Sequence, residues 1–154
     1  MTARVTKEWV AQQATKAICP VVEGWKDGAL KVFVPGTPAN LKNKVGHWST
    51  RRDWAKAWRE RTAAALYPHR SSSILHTWPW RSETPKRITF TVYGRSRFDD
   101  DNVALVCSPV RDALQDMRLI DNDGNVTHRF VYTQAPPTRK TGAVYGIAIR
   151  VEKA

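Results

Sequence analysis

Apolar and polar residues alternate in several stretches of the chain. The clearest stretch is 88–93, where Ile88, Phe90 and Val92 alternate with Thr and Tyr residues. A period of two is typical of a β-strand with one buried face. Together with the turn residues between them, such stretches predict four strands, at residues 29–34, 88–93, 126–132 and 143–151.

Two other stretches repeat apolar residues at helical spacing. The first follows Ser49 or Thr50, either of which can act as the N-cap, and ends at about Leu66. The second ends at Met117, and we expect Pro109 to interrupt or restart it. The order β-α-β-α-β-β predicts one α+β domain, a mixed β-sheet with helices packed on it.

Residues 1–27 have a helical spacing of their own, stopped by Pro20, which predicts an N-terminal helical extension to a domain of residues 28–154. A domain of this size can bury about 68–70% of its unfolded surface, so it needs no disulfide or structural metal. No apolar run approaches 18 residues, and no secretory signal is recognisable. We therefore expect a cytoplasmic protein without a membrane partner, in which Cys19 and Cys107 are reduced thiols.

The charge of the chain is high and unevenly distributed. Its 25 Lys and Arg against 14 Asp and Glu give a formal net charge of +11. Residues 99–123 hold seven of the acids and only two bases, Arg111 and Arg118, so the remaining residues carry a net +16. Such an excess predicts a polyanionic partner, most often nucleic acid, although it is also compatible with a merely solubilising surface.

The acidic stretch begins with Asp99-Asp100-Asp101-Asn102. Adjacent carboxylates repel by roughly 1 kcal/mol at 4 Å even in water, and a divalent cation bound between them offsets this repulsion. An extended backbone would place Asp99 and Asp101 on one face, where they could share a metal ion. The alternative is a helix N-terminus, where Asp is favoured as a cap and by the helix dipole. Capping needs only one Asp, so three in a row favour the metal.

Other candidate features are less specific. Asp121-x-Asp123-Gly124 lacks the later Gly and Glu of a calcium loop, and a plain turn explains it. All seven tryptophans lie in the first 80 residues. We expect Trp54 and Trp58 to pack in the core. Three others lie in or beside basic loops and can either pack or stack on bases: Trp48, Trp78 and Trp80.

The spacing of these acids resembles that of the RusA-type Holliday junction resolvases. The shared features are Asp99-x-Asp101-Asn102, then Asp112-Ala113-Leu114, then Asp123, together with an upstream strand ending in residues 34–38 and a basic loop. The resemblance covers about residues 29–152. It implies a Mg²⁺-dependent homodimer, with Mn²⁺ as a substitute, that nicks four-way DNA junctions symmetrically in a bacterial or phage-infected cell.

Carried over residue by residue, the resemblance implies that Asp99, Asp101 and Asp123 are the metal carboxylates. Two departures stand out. The family often has Asp-Asp where this chain has Asn122-Asp123, which leaves Asp121 as an alternative ligand. The family lysine falls at Ser108, and we hypothesise that Arg111, three residues later, replaces it as a catalytic cation; a surface ion pair is the alternative.

The sequence thus predicts a Mg²⁺-dependent, structure-selective DNA endonuclease that resolves Holliday junctions as a two-fold dimer. The residues expected to hold the DNA phosphate backbone are basic: Lys42, Lys44, Arg51, Arg52, Arg95 and Arg97. The alternative from another class is a DNA-binding protein that keeps the fold without the chemistry. An RNA-binding module has no support, because no aromatic strand motif of that class is present.

Overall fold

The computed structural model describes residues 29–39, 48–69, 82–121 and 128–154. The predicted N-terminal extension 1–27, Lys42, Lys44, Asp123, Trp78 and Trp80 lie outside these ranges. The described elements follow in the order β1 (Leu30–Pro35), α1 (Trp48–Leu66), β2 (Lys86–Tyr93), α2 (Asp100–Asp116), β3 (Arg129–Gln134) and β4 (Gly146–Lys153), with a short 3₁₀ turn at Tyr67–His69 after α1.

The four strands form one mixed sheet in the order β1-β4-β2-β3. β4 is antiparallel to both β1 and β2, and β3 is parallel to β2. A parallel neighbour requires a crossover connection, and α2 supplies it between β2 and β3. The predicted α+β class with a mixed sheet and two helices is confirmed. β3 and β4 follow each other in the chain but are not neighbours in the sheet.

One face of the sheet and the two helices enclose the core. Alternate residues of each central strand are buried there, among them Ile88 and Phe90 of β2 and Ile149 of β4. Trp58 of α1 and Val110 of α2 are fully buried against them. At about 25 cal/mol per Å², the burial of this apolar surface is the main stabilising contribution to the fold.

Two local expectations are wrong. α2 continues through Pro109 without interruption. Proline removes one backbone hydrogen bond and its ring crowds the carbonyl four residues earlier, but Pro109 lies on the buried face of α2, and most helical stability in proteins comes from the packing of such a face. α1 begins at Trp48, so Ser49 and Thr50 lie inside the helix and not at its cap. Neither helix in the described ranges is long and apolar enough to cross a membrane.

Candidate functional site

The acidic run lies where the chain leaves β2 and enters α2. Asp99 has an extended backbone, and its carbonyl accepts the amides of Asn102 (2.8 Å) and Val103 (3.0 Å). Asp100 and Asp101 occupy the first helical turn, so the expectation of an extended run is wrong beyond Asp99. No side-chain capping bond forms at Asp99. All three carboxylates are exposed at the edge formed by the carboxyl ends of β2 and β3, which we call the carboxylate edge.

Gln134, the last residue of β3, holds the segment before Asp99. Its side-chain oxygen accepts the Phe98 amide at 3.0 Å, and its side-chain nitrogen donates to the Phe98 carbonyl at 2.8 Å. The Phe98 ring is buried in the core. Both polar backbone groups of Phe98 are therefore satisfied outside regular secondary structure, and Asp99 starts from a fixed position.

Asn102, the next residue after the three carboxylates, is buried. Its side chain is 2% exposed, and its Oδ1 has no hydrogen-bond partner in the described part of the chain. A buried carbonyl oxygen without a donor costs about 1–3 kcal/mol. Such a cost at the base of an acidic cluster indicates a position that a water molecule or a bound cation can satisfy.

Basic side chains surround the carboxylate edge. Arg95 and Arg97, both predicted, lie in the short segment between β2 and Asp99 and are exposed. The loop after β3 adds Arg139 and Lys140, because Thr138 donates its amide to the Gly94 carbonyl (3.2 Å) and Arg139 Nε donates to the Arg95 carbonyl (3.5 Å). These four cations form what we call the basic rim.

Sequence reasoning did not assign Arg139 and Lys140 to the site. Forty-four residues separate Arg139 from Arg95 in the chain. Only the position of β3 beside β2 brings their loops together, and the alternation of apolar residues does not specify which strands are neighbours.

The remaining predicted site residues lie elsewhere. Arg111 is ten residues after Asp101 on α2, about 15 Å along the helix axis, which exceeds the reach of its side chain. Its Nη1 donates to Tyr132 Oη at 2.7 Å, and its guanidinium lies 5.2 Å from the centre of the Phe130 ring. The structure therefore does not bring Arg111 to Asp99 and Asp101.

Arg51 and Arg52 are exposed in α1. Arg52 lines a groove of about 480 Å³ together with Asp116, at the carboxyl end of α2 and therefore away from the carboxylate edge. A larger groove of about 740 Å³ at the same end is lined by Asp112, Asp116 and Asp121 among others, with Arg59 bound to Asp116.

Asp121 belongs to a separate polar cluster at the amino ends of β2 and β3. His128 Nε2 lies 2.8 Å from Asp121 Oδ1, and the His128 side chain is fully buried. Lys86 is also fully buried, and its Nζ donates to the Thr84 carbonyl at 3.0 Å. Burial lowers the pKa of Lys86 to about 8, against the opposing effects of Glu83 and Asp121. Within one chain, α2 separates Asp121 from Asp99 and Asp101.

In the described ranges, no three His, Cys, Asp or Glu side chains come close enough together to hold a metal ion. The carboxylate edge contributes Asp99 and Asp101, while the predicted third ligand, Asp123, lies outside these ranges. No family model matches the chain, and no curated protein is similar to it.

Proposed function

We propose that the protein is a Mg²⁺-dependent endonuclease that resolves four-way DNA junctions. The observation that carries the proposal is the carboxylate edge itself. Asp99 and Asp101 lie near the carboxyl ends of two parallel strands, next in the chain to Asn102, whose buried Oδ1 is unsatisfied, and in the same loop region as the four cations of the basic rim. Ligands of open α/β sheets bind at such strand ends. The spacing of the acids, which resembles that of the RusA-type resolvases, supports the choice of substrate.

The donor set at this edge fits a hard divalent cation. Carboxylate and carbonyl oxygens are the ligands that Mg²⁺ prefers, and Mn²⁺ accepts the same donors. In this proposal Asp99 and Asp101 hold the cation together with Asp123 of a second copy of the chain, because Asp123 follows Asp121 by only two residues and α2 separates Asp121 from Asp99 and Asp101 within one chain. A bound Mg²⁺ lowers the pKa of a coordinated water and stabilises negative charge on the scissile phosphate.

The basic rim offsets the electrostatic repulsion between the carboxylates of this site and a phosphate backbone. Three exposed carboxylates repel a phosphate backbone, and the exposed Arg95, Arg97, Arg139 and Lys140 in the adjoining loops supply compensating positive charge. Arginine and lysine contacts to phosphate position a nucleic acid without reading its sequence. In this proposal the rim holds the phosphate backbone near Asp99 and Asp101 while these bind the cation.

The test is cleavage of a mobile four-way junction and a linear duplex, side by side, with Mg²⁺ or with EDTA. We expect Mg²⁺-dependent cutting of the junction alone. Asp101→Asn should abolish cutting and leave junction binding intact or stronger, because it removes a metal ligand and reduces repulsion of phosphate. Asp100→Asn is the matched control, one residue away and equally exposed, and should keep most activity. Cutting by Asp101→Asn at the wild-type rate would show that the metal assignment is wrong.

A second candidate is a junction-binding protein without catalysis. Two observations favour it: Ser108 has no charge, and Arg111 is engaged by Tyr132 and Phe130 instead of the carboxylates. This protein would bind the junction with an affinity independent of Mg²⁺ and release it uncut, which the same assay distinguishes.

A further inference from the structure

The face of the sheet opposite the helices carries side chains that the proposed nuclease site does not use. On β2 these side chains are Arg87, Thr89, Thr91 and Tyr93, which alternate with the buried core residues. Their register partners on the neighbouring strands share this face. We call this surface the outer face. None of the described helices covers it, and apart from the buried Gly146 at one end, the residues of β2 and their register partners there are half-buried or exposed.

Four cations form a band across one end of the outer face. Lys31 of β1 is the register partner of Arg150 of β4, and Arg87 of β2 is the partner of Arg129 of β3. Neighbouring strands lie about 4.8 Å apart, so each pair presents two charges side by side. The one acid in the band, Glu152, lies 3.5 Å from Arg150 and leaves a net positive charge.

An aromatic pair occupies the other end of the outer face. Phe33 of β1 and Tyr93 of β2 make an edge-to-face contact with ring centres 6.1 Å apart, although β4 lies between their strands. Gly146 makes this contact possible, because a Cβ at that position would lie 2.5 Å from the Phe33 ring. Tyr93 is 39% exposed, which is high for a large aromatic residue in a strand.

A shallow depression of about 230 Å³ connects the two ends. Phe33, Thr91, Ala148 and Arg150 contribute to its lining, so it has an apolar floor with a cation at its border. Small side chains at Thr91 and Ala148 keep the floor open, and the Thr91 hydroxyl is already paired with that of Thr133 at 2.9 Å. The depression can therefore accept a flat apolar group more readily than a strongly polar one.

We propose that the outer face binds an unpaired strand of nucleic acid, with bases on Phe33 and Tyr93 and phosphates on the cation band. Stacking platforms bordered by positive charge are the common solution for single strands. Charge complementarity favours this occupant over the chain's own N-terminal residues 1–27, which carry four bases and three acids. Tyr93 ends β2 six residues before Asp99, so a strand that crosses the aromatic pair leads towards the carboxylate edge.

The test measures fluorescence anisotropy of a labelled 12-nucleotide thymidine oligomer with the full chain in EDTA, where no cleavage can occur. We expect Tyr93→Leu to weaken binding by about fivefold or more, the loss of one stacked base, and Tyr93→Phe to retain it. Lys31→Ala with Arg150→Ala should weaken binding and reduce the log–log salt slope by about 1.4, the value for two phosphate contacts of a single strand. Lys56→Ala, an exposed cation of α1 paired with Glu60, is the control and should change little.

A second probe is an abasic oligomer of the same length. We expect it to bind at least about fivefold more weakly than the thymidine oligomer, because it offers phosphates without bases. Equal binding of the two oligomers, or wild-type affinity in both Tyr93→Leu and the double cation variant, would overturn the proposal. Thermal unfolding of each variant separates lost binding from lost folding. The oligomer assay contains EDTA and no junction, so failure of the outer-face proposal is distinguishable from failure of the nuclease proposal, which the junction-cleavage assay tests.

Discussion

Arg111 lies on the side of α2 that faces β3, where it donates to Tyr132 and covers the Phe130 ring. Both partners come from β3, which in the described part of the chain pairs with β2 alone. The guanidinium thus fastens α2 to the edge of the sheet through one hydrogen bond and one cation–π contact. At residue scale, this position assigns Arg111 to the stability of the fold.

We predict that Arg111→Met lowers the free energy of unfolding by about 1–2 kcal/mol, the combined value of these two contacts. Urea denaturation of Arg111→Met, Tyr132→Phe and the double variant should show that the two single effects are not additive. The cleavage rate of the folded variant should remain within about twofold of wild type. A tenfold loss of cleavage rate at unchanged stability would instead show that Arg111 has a catalytic role.

Lys86 is buried in the folded chain, where its pKa is about 8 instead of 10.5. Between these values the unfolded chain binds more protons than the folded chain, so stability rises with pH across this window. Relative to Lys86→Met, we predict that wild-type stability increases by up to about 1.4 kcal/mol per pH unit from pH 8 to 10.5. Urea denaturation at several pH values measures this difference, and a difference that stays constant would show that Lys86 has an ordinary pKa.

At the scale of elements, the end of β1 depends on Gly36. Its φ is +153°, and its amide donates to the Tyr145 carbonyl at 3.1 Å. A Cβ there would lie 2.7 Å from an Arg61 nitrogen and 3.0 Å from the Trp58 ring, both on α1. Glycine therefore allows the chain to turn away from β1 while α1 packs directly against it.

We predict that Gly36→Ala costs about 1–3 kcal/mol through backbone strain and steric contact with Trp58. Gly142→Ala is the matched comparison, because Gly142 has a φ of +81° but nothing within 4 Å of an added Cβ. It should cost about 1 kcal/mol, from strain alone. Chemical denaturation measures the loss of stability in both variants and shows whether Gly36→Ala costs more than Gly142→Ala. An equal cost would mean that α1 shifts to accommodate the added methyl group without losing stability.

The predictable elements are those in which local pattern and tertiary packing agree. Ile88, Phe90 and Val92 indicate β2 because the same alternation faces the core. The pattern could not show that Lys86 extends β2, since its burial depends on the Thr84 carbonyl and a distant Asp121. Nor could it place Gln134 on Phe98, because that contact depends on the strand order. The predicted length of the second helix, by contrast, is enough to show that Asp101 and Asp121 lie at opposite ends of it and do not meet within one chain.

At the scale of the whole molecule, positive charge outside the acidic stretch should dominate binding to DNA. We predict that junction affinity falls steeply with salt, with a log–log slope of about −0.9 for each phosphate neutralised. Replacing Arg95, Arg97 and Arg139 of the basic rim together with Ala should reduce the slope by about three. Anisotropy titrations over a range of salt concentrations measure it, and a flat wild-type profile would mean that the charge is only solubilising.

The position of Asp121 beyond the far end of α2 bears on the assembly. Its carboxylate can join Asp99 and Asp101 only from a second protomer, and paired incisions also call for two copies. We predict a homodimer by light scattering. If the site is shared, Asp101→Asn and Asp121→Asn are each inactive but regain up to about half of the activity when co-assembled, because one complete site re-forms. A monomer in the presence of junction DNA would exclude the shared site.

The segment between β2 and Asp99 is held by backbone hydrogen bonds and by the buried ring of Phe98. These bonds use the carbonyls of Gly94 and Arg95, which any amino acid provides, and the amide and carbonyl of Phe98. The side chains of residues 95–97 take no part in placing the carboxylates. Substitutions there can accumulate in related proteins without moving Asp99, so this short segment is where preference for one DNA shape over another can diverge while the chemistry is inherited unchanged.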